Sequence, residues 1–237
     1  MSCAVIFGAS GGIGGKLAAQ LAASGRYEQV YAGGRRSIAP QSGIVPFVYD
    51  LTEEASIVEA VAGFESAPEL VLVSSGLLHD PAQGIAPEKT LRHIDTTTMA
   101  HLFAINTIGP ALIAKHVLPR LQRHRRSVFA VLSARVGSIG DNRLGGWHSY
   151  RAAKAALNML VVNFAIEMAR THPHAIVVAL HPGTVATELS APFRAGVPPE
   201  KLFTPQVSAE HLLQVIDTLS PEDNGGFFAW DGQRLPW

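Results

Sequence analysis

A single α/β domain built on a doubly wound parallel sheet is the fold class this sequence predicts, and three observations predict it. Short β-branched runs alternate with longer Ala/Leu-rich segments along the whole chain, the pattern of strand and crossover helix. The first apolar run ends in a glycine cluster that opens a helix. The 237 residues suit one α/β domain, because such folds reach this size without splitting.

The first strand is expected at Ala4 to Phe7, closed by Gly8, with a helix over about 13–24. Gln29 to Ala32 and Val45 to Val48 read as the next strands, and a helix follows over about 53–63. Leu70 to Ser74 is a continuous apolar run, as in a strand buried on both faces, and a long helix is expected over about 96–121. Val128 to Ser133 leads through a glycine-containing loop to a helix at about 148–171. Ile176 to His181, a helix at about 206–219 and a last strand at Gly226 to Ala229 complete the pattern. Right-handed crossovers then gather the strand C-termini on one edge, where such sheets bind ligands. No internal repeat interrupts the domain, which spans 1–237. Its main irregular stretch is Glu188 to Pro205, with Gly196, Pro198 and Pro199, expected as a substrate lid or binding loop, or else a disordered connection.

Composition narrows the function classes. Lys+Arg and Asp+Glu both number 19, so no net positive field exists to hold a nucleic acid or an anionic membrane by charge. No apolar run reaches membrane-spanning length, and the N-terminus lacks a signal-peptide layout, so neither membrane nor export is expected. The one cysteine, Cys3, lies in an apolar run and reads as a reduced core residue of a cytoplasmic protein. A hydrophobic fraction of 47% with only 16% charged residues suggests surface covered by helices or by other subunits. Ten histidines include no H-E-x-x-H pattern and no cysteine-rich set, so no metal site is expected.

The chemistry begins at VIFGASGGIGG, residues 5–15. Glycine permits positive φ and close approach of a pyrophosphate, and a helix N-terminus adds N–H donors and partial positive charge. Gly8, Ser10, Gly12, Ile13 and Gly14 therefore form a candidate phosphate cradle, a ligand-free glycine turn being the plainer alternative. The second strand ends in Ala32-Gly33-Gly34-Arg35-Arg36. An acidic residue there would suit the ribose hydroxyl of NAD, whereas arginine suits the extra phosphate of NADP. NADP is expected in preference to NAD, with Arg35 as the phosphate ligand unless both arginines are merely solvated. Asp50, next to Leu51, is placed to cap the following helix, or to contact adenine, as a resemblance of this stretch to the short-chain dehydrogenase/reductase family implies. The fourth strand ends in Ser74, Ser75 and Gly76, small residues that leave room for a cofactor.

Tyr150 and Lys154 stand four residues apart in GGWHSYRAAKAALN, on one face of an expected helix. A nearby cation favours phenolate and draws a group that ordinarily titrates near pH ~10 toward proton exchange with an alcohol or carbonyl. Such a pair is common on exposed helix faces; following a cradle and a serine-bearing strand end, it points to an acid/base site.

Together these motifs resemble the short-chain dehydrogenase/reductase family of Rossmann-type proteins across nearly the whole chain. The resemblance implies that Tyr150 is the general acid or base, that Lys154 holds the nicotinamide ribose, and that Asn106 in FAINTIGP positions a proton-relay water. It also implies a serine that hydrogen-bonds the substrate oxygen, and here the pattern departs. The second serine of the family's pair is replaced by Ala134, and Ser133 lies seventeen residues before Tyr150, through a longer loop. Ser133 is the chosen residue and Ser138 the alternative. Phe7 stands where the family commonly has threonine, and Ser74-Ser75 where it has paired asparagines. HPGTVATEL resembles the segment that binds the carboxamide, implicating Pro182, Gly183, Val185 and Thr187.

LSARVGSI, PEKTLRHID and FFAWDGQRLPW are similar to segments of the C-factor subgroup of cell-to-cell signalling proteins and their carbonyl-reductase relatives. Two classes follow: an NADPH-linked enzyme acting on a small carbonyl or alcohol, or a dinucleotide-binding signalling protein with little turnover. Trp147 and His148 either line the substrate pocket or only pack the helix start. A homodimer or homotetramer is implied by analogy.

Overall fold

The computed structural model describes residues 2–38 and 41–237. Seven strands form one parallel sheet: β1 (Cys3–Phe7), β2 (Gln29–Gly34), β3 (Ile44–Val48), β4 (Leu70–Val73), β5 (Ser127–Leu132), β6 (Ala175–His181) and β9 (Phe227–Ala229). Their order is β3-β2-β1-β4-β5-β6-β9, with a separate two-stranded ladder of β7 (Thr184–Val185) and β8 (Leu202–Phe203). The strand order reverses between the parallel neighbours β1 and β4, whose register places Phe7 opposite Val73. That switch point opens a crevice at the strand C-termini, and Gly8 and Ser74 stand at its mouth.

Period-two alternation divides the core between the two faces of the sheet. Cys3, Val5 and Phe7 pack with Ile113, Val117, Leu157 and Val161, whereas Ala4 and Ile6 pack with Leu17, Leu21, Leu212 and Ile216. The helices responsible are α1 (Gly12–Ala23) and α6 (Pro205–Thr218) on one face. The other face carries α2 (Glu54–Ala62), α3 (Thr96–Phe103), α4 (Gly109–Val117) and α5 (His148–Ala169). Cys3 is a free, buried thiol whose pKa burial pushes up.

Three expectations need correction. The helix predicted over 96–121 is not uniform: a π turn at Ala104–Ile108 separates α3 from α4, and Asn106 lies inside it. Hydropathic periodicity is nearly blind to one inserted residue, which is why the turn escaped detection. The stretch 188–205 is not irregular throughout, because 3-10 turns occupy Glu188–Phe193 and Pro199–Lys201 and β8 pairs with β7. Lastly, Thr96–Arg120 and His148–Ala169 do have membrane-spanning length, 25 and 22 residues at mean hydropathy 1.2 and 1.3. Their apolar side chains Ile113, Val117, Leu157 and Val161 instead pack into the core against the sheet.

Candidate active site

The crevice at the switch point is one cleft of about 900 Å³ lined by the β1–α1 turn, the ends of β2, β4 and β5, and residues of α5 and the 182–189 segment. At its N-terminal end Gly8 has φ +88°, and a Cβ there would lie 2.6 Å from Ser75 Oγ. A Cβ on Gly14 would lie 2.4 Å from both Gly8 O and Ser74 Oγ, so α1 starts hard against the β4 exit. No side chain caps α1 at Gly11, and Gly12, Ile13 and Gly14 of its first turn line the cleft together with Ser10. Uncapped first-turn N–H groups facing a cleft form an anion seat.

Arg35 lines the cleft; Arg36 does not. Asp50 and Leu51 line it too. Of its two alternatives, Asp50 does not cap α2: its Oδ1 accepts from Thr52 N at 2.8 Å and Thr52 Oγ1 at 2.7 Å, while Glu53 stands at the cap. Those hydrogen bonds hold the Asp50 carboxyl below its ordinary pKa. Tyr49, which pattern reading missed, is buried beside them, and its hydroxyl pairs with Ser75 Oγ at 2.8 Å. Burial pushes the Tyr49 phenol up to about 12.

At the opposite end α5 brings Tyr150 and Lys154 to the cleft wall, both buried. Lys154 Nζ lies 5.9 Å from the Tyr150 ring centre and donates to Leu132 O at 2.8 Å, which leaves two of its three protons for other acceptors. Burial works against both charged forms, lowering Lys154 to about 8 and raising the Tyr150 phenol well above its ordinary range. A phenolate and an ammonium placed together would offset these two costs mutually.

Asn106 is fully buried. Its Nδ2 donates to Leu77 O at 2.8 Å and to Leu102 O at 3.0 Å, and its Oδ1 accepts from Leu77 N at 3.0 Å. The side chain therefore bonds its own helix and also clamps the β4 exit, beside Gly76. A Cβ on Gly76 would lie 3.2 Å from Asn106 Oδ1 and 3.7 Å from Lys154 Nζ, so any larger residue would narrow the gap beside the two side chains.

Of the two serine candidates, Ser133 lines the cleft and Ser138 does not. Ser133 Oγ donates to Asn158 Oδ1 at 2.6 Å, whereas Ser138 Oγ accepts from Asp141 N at 3.1 Å and tightens a turn. Pro182 and Thr187 line the cleft; Gly183 and Val185 stand outside its lining. Gly183, at φ +79°, packs against Phe203, and buried Val185 belongs to the β7–β8 ladder, so these two shape the turn. Trp147 packs on Tyr150 and on Phe193, with ring centres 6.4 and 4.9 Å apart, while His148 begins α5. Among the described residues no cluster of three metal-ligating side chains occurs.

Residues 2–198 match the family model described as short chain dehydrogenase. The chain belongs to the short-chain dehydrogenase family. It is an NAD(P)-dependent oxidoreductase. It is 34% identical to the 1-hydroxy-2-glutathionyl-2-methyl-3-butene dehydrogenase of a Rhodococcus species, over the full length of both. With the C-signal of Myxococcus xanthus it shares 36% identity over 148 residues, 62% of this chain and 83% of that protein. Among solved structures it is similar to the NADPH-bound carbonyl reductase from chicken fatty liver, at 26% identity and a TM-score of 0.84, covering 99% of this chain and 98% of that one.

The positions where the sequence departs from the family pattern it resembles, at the α1 end of the cleft, have contacts of their own. Phe7 supplies no hydroxyl, but Ser74 Oγ donates to Phe7 O at 2.8 Å and ties the two strand ends together. The Phe7 ring joins Phe47, Tyr49 and Phe64 in an aromatic cluster. The Tyr49–Ser75 pair ties the end of β3 to the β4 exit.

Proposed function

We propose that the chain is an NADP-dependent carbonyl reductase or alcohol dehydrogenase in which Tyr150 is the general acid/base. One observation carries this assignment: buried Tyr150 and Lys154 share a single cleft with the uncapped start of α1 and with Arg35.

The residues present fit a nicotinamide dinucleotide. The bare first turn of α1 offers N–H donors for the pyrophosphate, and Arg35 offers a guanidinium for the ribose phosphate that separates NADP from NAD. Leu51 and the carboxyl of Asp50 border the adenine end, and Ser75 lines the neighbouring wall. The Gly76 gap beside Lys154 admits a ribose, whose hydroxyls the two remaining Lys154 protons would hold. Pro182 and Thr187 border the carboxamide end, with Gly183 and Val185 fixing that turn. When bound, nicotinamide supplies the hydride donor or acceptor.

In the reducing direction Tyr150 delivers its proton to the carbonyl oxygen, and in oxidation it takes the hydroxyl proton. Lys154 opposes the desolvation that otherwise keeps the phenol protonated. Ser133 polarises the substrate oxygen by exchanging its bond to Asn158 for one to the substrate. Asn106 serves the relay by fixing Leu77 and the β4 exit around Lys154. The substrate is a small carbonyl or alcohol.

Free, buried Cys3 supports a cytoplasmic location. A homodimer or homotetramer is supported by Ile108, Met159 and Ile166, which remain 52%, 61% and 55% exposed on the long helices.

The deciding experiment follows NADPH oxidation across an aldehyde, ketone and quinone panel, in wild type and Tyr150→Phe. Turnover by wild type and a loss of about 10³-fold in the variant, with NADPH affinity retained, are expected. A variant as active as wild type defeats the assignment. The likeness to the C-signal makes a binding role the second reading, and NADPH binding without turnover over the whole panel would favour it.

A further inference from the structure

The approach to α5 is unusual. Gly145, Gly146 and Trp147 have φ of +63°, +67° and +50° in succession, and Trp147 is the one non-glycine residue among those described with positive φ. A bulky residue there is strained and persists only where its surroundings over-determine it. No side chain caps α5 from Trp147 itself. The missing partner comes from far away in sequence. Glu88, 3% exposed in the loop between β4 and α3, accepts from Ser149 N at 3.2 and 3.3 Å through its two carboxyl oxygens, and also from Ser149 Oγ. Its backbone carbonyl accepts from Trp147 N. From the other side Arg151 Nε donates to Gly145 O at 3.1 Å and Gly146 O at 3.0 Å, and its Nη1 donates to Val136 O.

Among the described residues no lysine or arginine forms an ion pair with Glu88. Burying a carboxyl group without a cation is costly unless hydrogen bonds satisfy it, and here they come from the helix start. Glu88 therefore holds the turn and the first residues of α5 as one unit, and Tyr150 is the next residue. We infer that Glu88 is a positioning residue for the acid/base centre, capping α5 in trans so that Tyr150 is fixed relative to Lys154. This rests on the assignment of Tyr150 as the acid/base group.

The test compares Glu88→Ala, Glu88→Gln and Tyr150→Phe in the full chain. Glutamine can still accept from Ser149 N and offer its amide to Ser149 Oγ, so it should restore what alanine removes. For Glu88→Ala, kcat with the best carbonyl of the panel should fall about 10- to 100-fold, the scale of a misplaced reacting group. NADPH affinity should stay within about threefold of wild type, because the α1 cradle is untouched. Glu88→Gln should return kcat to within about threefold of wild type. Hydrogen exchange of the cofactor-free protein gives a readout independent of activity: amides 147–151 should lose protection in Glu88→Ala and regain it in Glu88→Gln.

A folded Glu88→Ala protein with wild-type kcat and protection overturns the inference. So does a kcat loss matched by an equal loss of NADPH-binding sites, which would mark a purely structural role. Should Glu88→Ala fail to fold, Glu88→Asp keeps the charge but withdraws the carboxylate from Ser149 N by one methylene. Wild-type kcat in that variant, or failure of Glu88→Gln to keep activity, overturns the inference equally. An active Tyr150→Phe defeats the acid/base assignment itself, and that outcome is distinguishable from every Glu88 result.

Discussion

The two ends of the cleft are built from different materials. At the end proposed for the cofactor the groups on offer are main-chain N–H donors at the start of α1, and the side chains there mainly keep the turn against the sheet. At the end proposed for catalysis the groups are individual buried side chains, Tyr150, Lys154, Asn106 and Ser133, of which all but Tyr150 have a named hydrogen-bond partner. A backbone site tolerates changes of residue type provided the fold of the turn survives. A side-chain site does not. The difference accords with the resemblance read from the sequence, which departs at Phe7, Ser74 and Ser75 and, the serine apart, keeps tyrosine, lysine and asparagine.

The sharpest way to break this contrast lies at the serine, the one catalytic-end position where the sequence also departs. Ser133→Ala should lower kcat/KM about 100-fold, the usual scale for removing one donor to a developing oxyanion. Ser138→Ala, whose Oγ only receives Asp141 N at 3.1 Å, should stay within about threefold, as expected for a group remote from the reacting atoms. Steady-state kinetics on the two variants decide between them, and the reverse ranking would assign the polarising role to Ser138.

At the cofactor end the one side chain expected to matter strongly is Arg35. Arg35→Ser should reduce the preference for NADPH over NADH about 10- to 100-fold, the value of a charge-assisted contact, leaving kcat with saturating NADPH nearly unchanged. Arg36→Ser, outside the cleft lining, should change the preference less than about twofold. Titrations with both cofactors check this, and equal effects of the two substitutions would show that the pair acts only through diffuse charge.

How much of this was legible in the sequence follows the same division. Six of the seven sheet strands were readable because strands buried on both faces are continuous apolar runs, the exposed edge strand β3 because Val45 and Val48 give it a β-branched run, and Gly8 to Gly14 because glycine spacing is a local signal. Tyr150 and Lys154 were readable because residues four apart share a helix face. The π turn around Asn106 was not, since one extra residue barely disturbs an apolar pattern. Nor were the contacts made by chain closure: Glu88 meets Ser149 across 61 residues and Ser74 meets Phe7 O across 67. Nothing local in PEKT announces a buried cap for a helix that starts so far downstream. The regular pieces of 188–205 escaped for a related reason, because the ladder between β7 and β8 joins residues too few and too far apart to give a strand signal.

The smallest effect expected is also the one that joins the two ends, because Lys154 stands on α5 one turn from Tyr150 and also borders Gly76, where the ribose is proposed to lie. Burial lowers its pKa to about 8 from an ordinary 10.5. Below about pH 8 the folded protein carries the ammonium that would hold the ribose hydroxyls; above it, binding must recruit a proton. NADPH affinity should therefore weaken as pH rises past 8, by up to about tenfold per pH unit. Stability of the cofactor-free chain should move the opposite way. Between pH 8 and 10.5 the unfolded lysine binds more proton than the folded one, so this residue's contribution to folding improves as pH rises through that window. Lys154→Met removes the titrating group, and subtracting its pH profiles from those of wild type isolates both trends from every other residue that titrates there. Opposed slopes in the two difference profiles, read by cofactor titration and by denaturant unfolding, would show that one buried amine sets both. Parallel slopes would place the pH dependence elsewhere in the cleft.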